Sequence, residues 1–435
     1  MHRVVRRNTE LGLILLGTLV TVGAYLLASL AEDSTIPANI GPFLGIVLGL
    51  QLAAHVAIRR LAPEADGTLV PIAGLLNGLG YVFIVRIDEA KLEPQGLAGL
   101  QAAWAMVGIG AFVATLFAVR RVRDLERYRW TIGFAGIGLL LLPLVPGVGR
   151  QINGARIWVG IGPVSFQPGE FAKILLALFF ASYLVEKREL LAVSRHRIGP
   201  IALPDLKHLG PVLLAWGVSL VVMVSEKDLS SSLLFFALFV ALLWVATERV
   251  AYLVVGALLF AGGAALANQQ FSHVEQRVDI WLNPWQDPKD DGFQIVESQF
   301  AFAAGGVSGT GINLGSPTRI PYAETDFIFA AIGEELGLIG ATGVLVAYLL
   351  MIGAGLRTAL QTTVPFERLL ATGLTALLGV QSFLIIAGVI RVLPLTGVTL
   401  PFVSYGGSSL IANYVLLALL LRISDDTSNR DQVAA

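Results

Sequence analysis

Apolar residues along this chain gather into long unbroken blocks, with neither the period of two of a half-buried strand nor the one-faced spacing of a soluble amphipathic helix. The blocks have about 17–25 positions, and about thirty in one case, and at about 1.5 Å per residue a helix of that length crosses the hydrocarbon of a bilayer. The pattern predicts twelve spans: 11–31, 38–58, 69–87, 97–119, 130–146, 169–186, 207–225, 229–247, 250–268, 326–355, 369–392 and 405–422. Only Glu226-Lys227-Asp228 parts the seventh from the eighth, and only Thr247-Glu248-Arg249 parts the eighth from the ninth. The first span begins among arginines, and Ser29-Leu30-Ala31 has the small residues of a cleavage site. Its apolar stretch exceeds that of a signal peptide, which predicts a retained helix.

The polar positions between the blocks set the orientation. Placing the N-terminus inside puts two thirds of the 30 Lys and Arg residues on the cytoplasmic side, among them Arg59, Arg60, Arg120, Arg121, Arg188, Arg249 and Arg368. That asymmetry has the sign of the positive-inside rule. It predicts a multi-pass protein of the cytoplasmic membrane with both termini cytoplasmic. Composition agrees: 55% of residues are hydrophobic and 14% charged, where soluble proteins carry about 25% charged residues. A net charge of −1 argues against nucleic acid as a partner. The absence of cysteine excludes disulfide and thiolate chemistry.

One connection is long. Residues 269–325 form an extracytoplasmic loop whose aromatics, Trp281, Trp285, Phe293 and Phe300 among them, argue for order. Trp281 and Trp285 are four residues apart, which predicts one helical turn at the membrane interface. Gly305-Gly306, Gly309, Gly311 and Gly315 follow, a run that lets backbone approach closely. The tail from Ser424 onward reads as disordered.

Ionisable groups inside or at the ends of spans are costly and are candidate functional sites. Glu170 and Lys173, spaced i, i+3, share a helix face, as an ion pair or as working groups. Asp228 and Asp326 each open a span, where on residue type alone a helix N-cap is the favoured role. Glu334 and Glu335 lie eight and nine residues beyond Asp326, deep enough to need a polar cavity or a partner. Arg156, Arg277, Arg319 and Arg391 add cations on the outer side. Together they describe a mixed-charge site opening outward beneath the long loop. The five histidines lack metal-ligand spacing, and no phosphate-cradling, dinucleotide or zincin motif is present. Ser404-Tyr405-Gly406-Gly407-Ser408-Ser409 lacks the strand–turn–helix setting of a hydrolase serine.

Several of these segments resemble the SEDS family (shape, elongation, division and sporulation), the polytopic glycosyltransferases typified by RodA and FtsW. They are Asn153-Gly154-Ala155-Arg156-Ile157-Trp158, Phe166-Gln167-Pro168-Gly169-Glu170-Phe171-Ala172-Lys173, Trp281-Leu282-Asn283-Pro284-Trp285, Thr325-Asp326-Phe327 with Glu334-Glu335-Leu336-Gly337, and Pro401-Phe402-Val403 through Ser409. Ile320-Pro321-Tyr322-Ala323-Glu324 looks most like the actinobacterial RodA branch. The resemblance implies an all-α membrane fold, a ten-helix core over 69–422, two additional N-terminal helices in 1–68, and a disordered cytoplasmic tail over 423–435. It further implies polymerisation of lipid II into β-1,4 glycan strands at the outer membrane face, during elongation and shape maintenance. Asp326 matches the essential carboxylate and is the implied base. Lys173, oriented by Glu170, is an implied catalytic cation. Arg156, Trp158, Gln167, Asp228, Arg319, Glu335, Ser404 and Ser408 are the implied substrate-binding residues. A divalent cation, Mg2+ or Mn2+, is an implied aid to the leaving diphosphate, with no organic cofactor. The implied partners are lipid II, a class B penicillin-binding transpeptidase and the elongation or division machinery. Gly169 stands where the family usually has Ser, and Glu226-Lys227-Asp228-Leu229-Ser230 departs from its usual turn. The rival functions are a lipid II flippase, an FtsW-like division polymerase and a non-catalytic scaffold.

Overall fold

A computed structural model describes residues 2–33, 40–91, 93–152, 155–161, 164–192, 196–198, 201–203, 210–226 and 228–434. Each of the twelve predicted blocks falls on a helix. These are α1 (His2–Asp33), α2 (Ile40–Leu61), α3 (Leu69–Glu89), α4 (Leu97–Ala118), α5 (Arg129–Leu141), α6 (Pro168–Ala192), α7 (Gly210–Glu226), α8 (Leu229–Thr247) and α9 (Val250–Gln270), then α12 (Ile328–Gln361), α13 (Pro365–Val389) and α14 (Gly407–Ala434). The long loop supplies two further helices, α10 (Ser272–Leu282) and α11 (Phe293–Gly305). Among the described residues, eight helices are both long and apolar enough to cross a membrane: α1–α4, α9 and α12–α14. Asn153, Gly154 and Lys227, which entered the motifs above, lie outside the described residues.

The chain divides into two compact units. The first comprises Met1–Arg120, Gln276–Ala354 and Gln381–Ala435. Here α1 lies on α3, and α4 is lined by α14 and α2. Helix α3 is buried along most of its length, from Leu69 to Asp88. At its end the Asp88 carboxylate accepts from the N–H groups of Gln95 at 2.9 Å and Leu97 at 2.8 Å, which satisfies the start of α4. Within the long loop Trp285 meets Phe300 edge to face at 5.7 Å. Pro284 separates Trp281 from Trp285, so the two do not share the expected helical turn.

Helix α12, predicted as one span, is broken at Gly337, where φ is 64° and ψ −165°. Glycine has no Cβ to oppose a positive φ, so the break falls there. The loop ahead of the helix satisfies the backbone groups that the break frees. Thr310 N–H donates to Glu334 O at 2.9 Å and Gly311 N–H to Glu335 O at 3.0 Å. In return Leu338 N–H donates to Gly306 O at 3.0 Å and Ile339 N–H to Val307 O at 3.2 Å. The glycine run noted in the sequence is thus the strap that lies against the broken helix.

The tail corrects a second expectation. Residues 423–434 continue α14 as helix, and Ser424, Asp425 and Thr427 are buried. Asp425 Oδ1 accepts from Glu64 N–H at 2.7 Å and Ser424 Oγ from Asp66 N–H at 3.0 Å. Gln432 Nε2 donates to the Glu64 side chain at 3.0 Å. The polar composition that suggested disorder serves the turn between α2 and α3.

The second unit comprises Arg121–Glu275 and Gly355–Val380. Its core joins Leu140, Ala172, Leu176, Val222 and Phe235 from α5, α6, α7 and α8. Between α5 and α6 the all-helical expectation gives way to a three-stranded antiparallel sheet, β1 (Gly149–Ile152), β2 (Ala155–Ile161) and β3 (Val164–Phe166), in the order β1-β2-β3. A short hairpin, β4 (His196–Ile198) and β5 (Ile201–Leu203), follows α6.

Candidate active site

Asp326 stands where the long loop hands over to α12, two residues ahead of the membrane span that begins at Ile328. Tyr322 takes φ 58°, and its carbonyl accepts from the N–H groups of Thr325 and Asp326, both at 3.1 Å. The loop between α13 and α14 holds this turn from the other side. Tyr405 N–H donates to Glu324 O at 2.8 Å, and Ser404 Oγ donates to Thr325 O at 2.5 Å while accepting from Leu400 N–H at 2.9 Å. The Glu324 carboxylate pairs with Lys91 at 2.6 Å.

Among the described residues, no backbone N–H of α12 donates to the Asp326 carboxylate, so the N-cap role favoured on residue type is not the one it plays. It faces Gly397 instead. A Cβ placed on Gly397 would lie 3.6 Å from Asp326 Oδ2 and 3.8 Å from Arg277 Nη2, so both groups address the same space. Gly397 has φ 74°, and Arg277 anchors its turn by donating from Nη1 to Leu395 O at 2.8 Å and Thr396 O at 2.9 Å. Desolvation pushes the Asp326 carboxyl up to about 6. The Arg277 charge and a hydrogen bond from the Thr325 side chain oppose the rise, and the Glu324 charge adds to it.

Arg277 entered the sequence reading only as one of several outer cations. The signal that singles it out is its spacing from Trp281, i and i+4 on α10, which aims both side chains at one segment. Trp281 Nε1 donates to Arg391 O at 3.3 Å, and Arg391 returns Nε to Trp281 O at 2.7 Å and Nη2 to Leu282 O at 2.5 Å. A cation at the C-terminal carbonyls of α10 complements the helix dipole. Arg391 therefore holds the scaffold.

The other candidates of this unit sit as follows. Ser404 is 3% exposed and its hydroxyl serves backbone groups, which positions the Asp326 turn. Ser408 is buried in the first turn of α14. Arg319 is exposed at the end of a short 3-10 turn, Pro317–Arg319. Glu335 is buried against Arg86 at 2.5 Å and accepts from Asn313 N–H at 3.1 Å. Glu334 accepts from Ser316 N–H at 2.8 Å, and Arg86 also donates to Gly315 O at 2.9 Å. The two deep carboxylates thus fasten the strap at residues 313–316.

In the second unit, Glu170 and Lys173 form an ion pair at 2.8 Å on the first turns of α6, both buried. Pro168 opens that helix, where its missing N–H costs nothing, and Gln167 lies half-buried just before it. Arg156 and Trp158 alternate along β2 and share one face of the strand, which runs against α6 and α7. Asp228 is the helix cap its sequence suggested: Ser231 donates N–H to Oδ1 at 3.2 Å and Oγ to Oδ2 at 2.5 Å. Two aspartates with the same sequence-level expectation thus part company.

Among the described residues, no three His, Cys, Asp or Glu side chains converge as metal ligands. The Asp326 site offers a carboxylate and a guanidinium, not a ligand set, and the chemistry below runs through those protein groups.

The family described as cell cycle protein, FtsW/RodA/SpoVE, matches residues 67–429. "Peptidoglycan glycosyltransferase RodA" of Mycobacterium tuberculosis is 45% identical over 425 residues, covering 96% of this chain and 90% of that protein. "Probable peptidoglycan glycosyltransferase FtsW" of Geobacter sulfurreducens is 35% identical over 327 residues, 74% of this chain and 84% of that protein. A chain solved in a study of structural coordination of polymerization and crosslinking by a peptidoglycan synthase complex superposes with a TM-score of 0.68. It shares 30% identity and covers 83% of this chain and 98% of its own. The family match begins just before α3, whereas the mycobacterial similarity extends into the first two helices.

Proposed function

This chain belongs to the FtsW/RodA/SpoVE family, and on that premise we propose that it extends glycan strands from lipid II with Asp326 as the general base. It is a peptidoglycan glycosyltransferase, as its relatives over almost the whole chain are. The donor sugar of lipid II is α-linked to a diphosphate, and the strand is β-1,4-linked, so the anomeric carbon inverts. Inversion in one displacement needs a base for the acceptor hydroxyl and no covalent nucleophile. Asp326 takes that proton as the hydroxyl oxygen bonds to the anomeric carbon. The bond to the diphosphate breaks, and its electron pair leaves with the undecaprenyl diphosphate. Arg277 offers positive charge beside this centre, where an anion departs. Lys173, held by Glu170, is the further cation proposed for diphosphate recognition.

The observation that carries this reading is that Asp326 caps nothing, while its carboxyl is pushed up to about 6. Such a group is ionised at neutral pH, yet it is more basic than an ordinary aspartate. The charge asymmetry supports an outward-facing site with both termini cytoplasmic. Greater identity with RodA than with FtsW supports a role in elongation. A solved relative from a synthase complex that couples polymerization to crosslinking supports a transpeptidase partner of the class B penicillin-binding type.

The test is reconstitution of the purified protein with lipid II and its cognate transpeptidase. Glycan polymer is expected from the wild type and none from Asp326→Asn, with an unchanged melting curve. Full polymerisation by Asp326→Asn removes the base assignment. Passage of labelled lipid II across liposomes without polymer favours a flippase.

A further inference from the structure

The second unit contains a cavity of about 430 Å3 at the ends of four helices, α6, α8, α12 and α13. The positive-inside pattern assigns these ends to the cytoplasmic side. Arg188 of α6 and Arg368 of α13 both line it, joined by Thr363 and Glu248. Neither arginine forms an ion pair among the described residues. Of the nearby acids, Glu186 pairs with Arg129 and Lys187, Glu367 accepts from Thr362 Oγ1 at 3.2 Å, and Glu189 is exposed outside the cavity lining. Glu248, at the left-handed end of α8 with φ 56°, is the one acid lining the cavity, which leaves its walls with an excess of positive charge. The remaining walls are largely apolar, with Val245 and Leu369 prominent.

We propose that this cavity is a binding site for the headgroup of an anionic phospholipid of the cytoplasmic leaflet. Two guanidinium groups from different helices match the oxygens of a phosphodiester by forked hydrogen bonds. The apolar walls suit the glycerol stem of a lipid, and the position at the membrane edge places that stem beside its own leaflet. A free phosphate has no use for the apolar walls.

The full-length protein in detergent is titrated with phosphatidylglycerol, with phosphatidylcholine and with inorganic phosphate, and bound lipid is counted by native mass spectrometry. Phosphatidylglycerol is expected to bind and phosphatidylcholine to be ignored. Each arginine removed in Arg188→Gln and Arg368→Gln is expected to weaken binding roughly fivefold. Glu248→Gln is expected to tighten it. Because both arginines are exposed, the double variant is expected to melt like the wild type in phosphatidylcholine. Should it not fold, the Arg188→Lys/Arg368→Lys variant, which keeps charge and loses the fork, serves instead and is expected to bind at an intermediate strength. Wild-type binding by the arginine variants overturns the proposal. Equal protection from unfolding by inorganic phosphate and by phosphatidylglycerol overturns the lipid as occupant.

Discussion

Arg277 and Asp326, 49 positions apart in the chain, both face Gly397, with Asp326 Oδ2 and Arg277 Nη2 within 3.8 Å of the point where its Cβ would stand. The nearby guanidinium bears on the basicity of the carboxylate. Burial raises it, and Arg277 holds the rise in check. Glycan synthesis by the wild type is therefore expected to fall as pH drops through about 6, where Asp326 takes up a proton. Removing the nearby cation with Arg277→Gln removes the opposing influence, so the acid limb is expected to move to higher pH by roughly one unit. A pH–rate profile of both proteins checks this, and an unmoved limb would separate Arg277 from Asp326.

Gly397 offers a second approach to the same space. An alanine there has to adopt φ near 74°, at a cost of about 1–2 kcal/mol, and sets a methyl group against Oδ2 of Asp326 and Nη2 of Arg277. Gly397→Ala is expected to lower the turnover rate far more than it lowers the melting temperature. Comparing kcat with a thermal melt distinguishes this from simple unfolding.

The Arg86–Glu335 pair belongs to stability. Both side chains are buried, and removing one partner of a buried pair costs about 3–5 kcal/mol because the other charge remains. Glu335→Ala is expected to lower the melting temperature strongly, and Arg86→Met/Glu335→Leu to recover part of the loss. A double variant no better than the single one would mean that the hydrogen bonds to the strap outweigh the ion pair.

Ending the chain at Arg422 tests the helical tail. The truncation deletes Ser424, Asp425 and Gln432, and leaves the N–H groups of Glu64 and Asp66 without their side-chain acceptors. Each lost bond is expected to cost about 0.5–1.5 kcal/mol, read as a lower melting temperature and faster proteolysis between α2 and α3. A disordered tail would leave both unchanged.

Much of this molecule is legible in its sequence because lipid imposes a blunt rule: about twenty apolar residues in a row, or no crossing. All twelve blocks became helices for that reason. The break in α12 was hidden by the same rule, since Leu336-Gly337-Leu338 opens a long apolar run and membrane helices tolerate single glycines. Of the strands around Arg156, β1 and β3 are too short to show a period of two, whereas β2 carries it in Ile157, Val159 and Ile161 between long helical blocks. Asp326 was found, but its contrast with Asp228 was not, because capping depends on where neighbouring N–H groups point. Arg277 needed the fold to bring Leu395–Gly397 to it.

The strap at residues 306–311 bears on how the protein is made. It completes the hydrogen bonding of α12 at Gly337, and backbone groups left unpaired in hydrocarbon cost several kcal/mol each. The strap precedes α12 in the chain, so the ribosome has already released it when the helix emerges. Completion of α12 thus depends on a segment made before it, and displacing residues 306–311 is expected to leave the break at Gly337 unpaired.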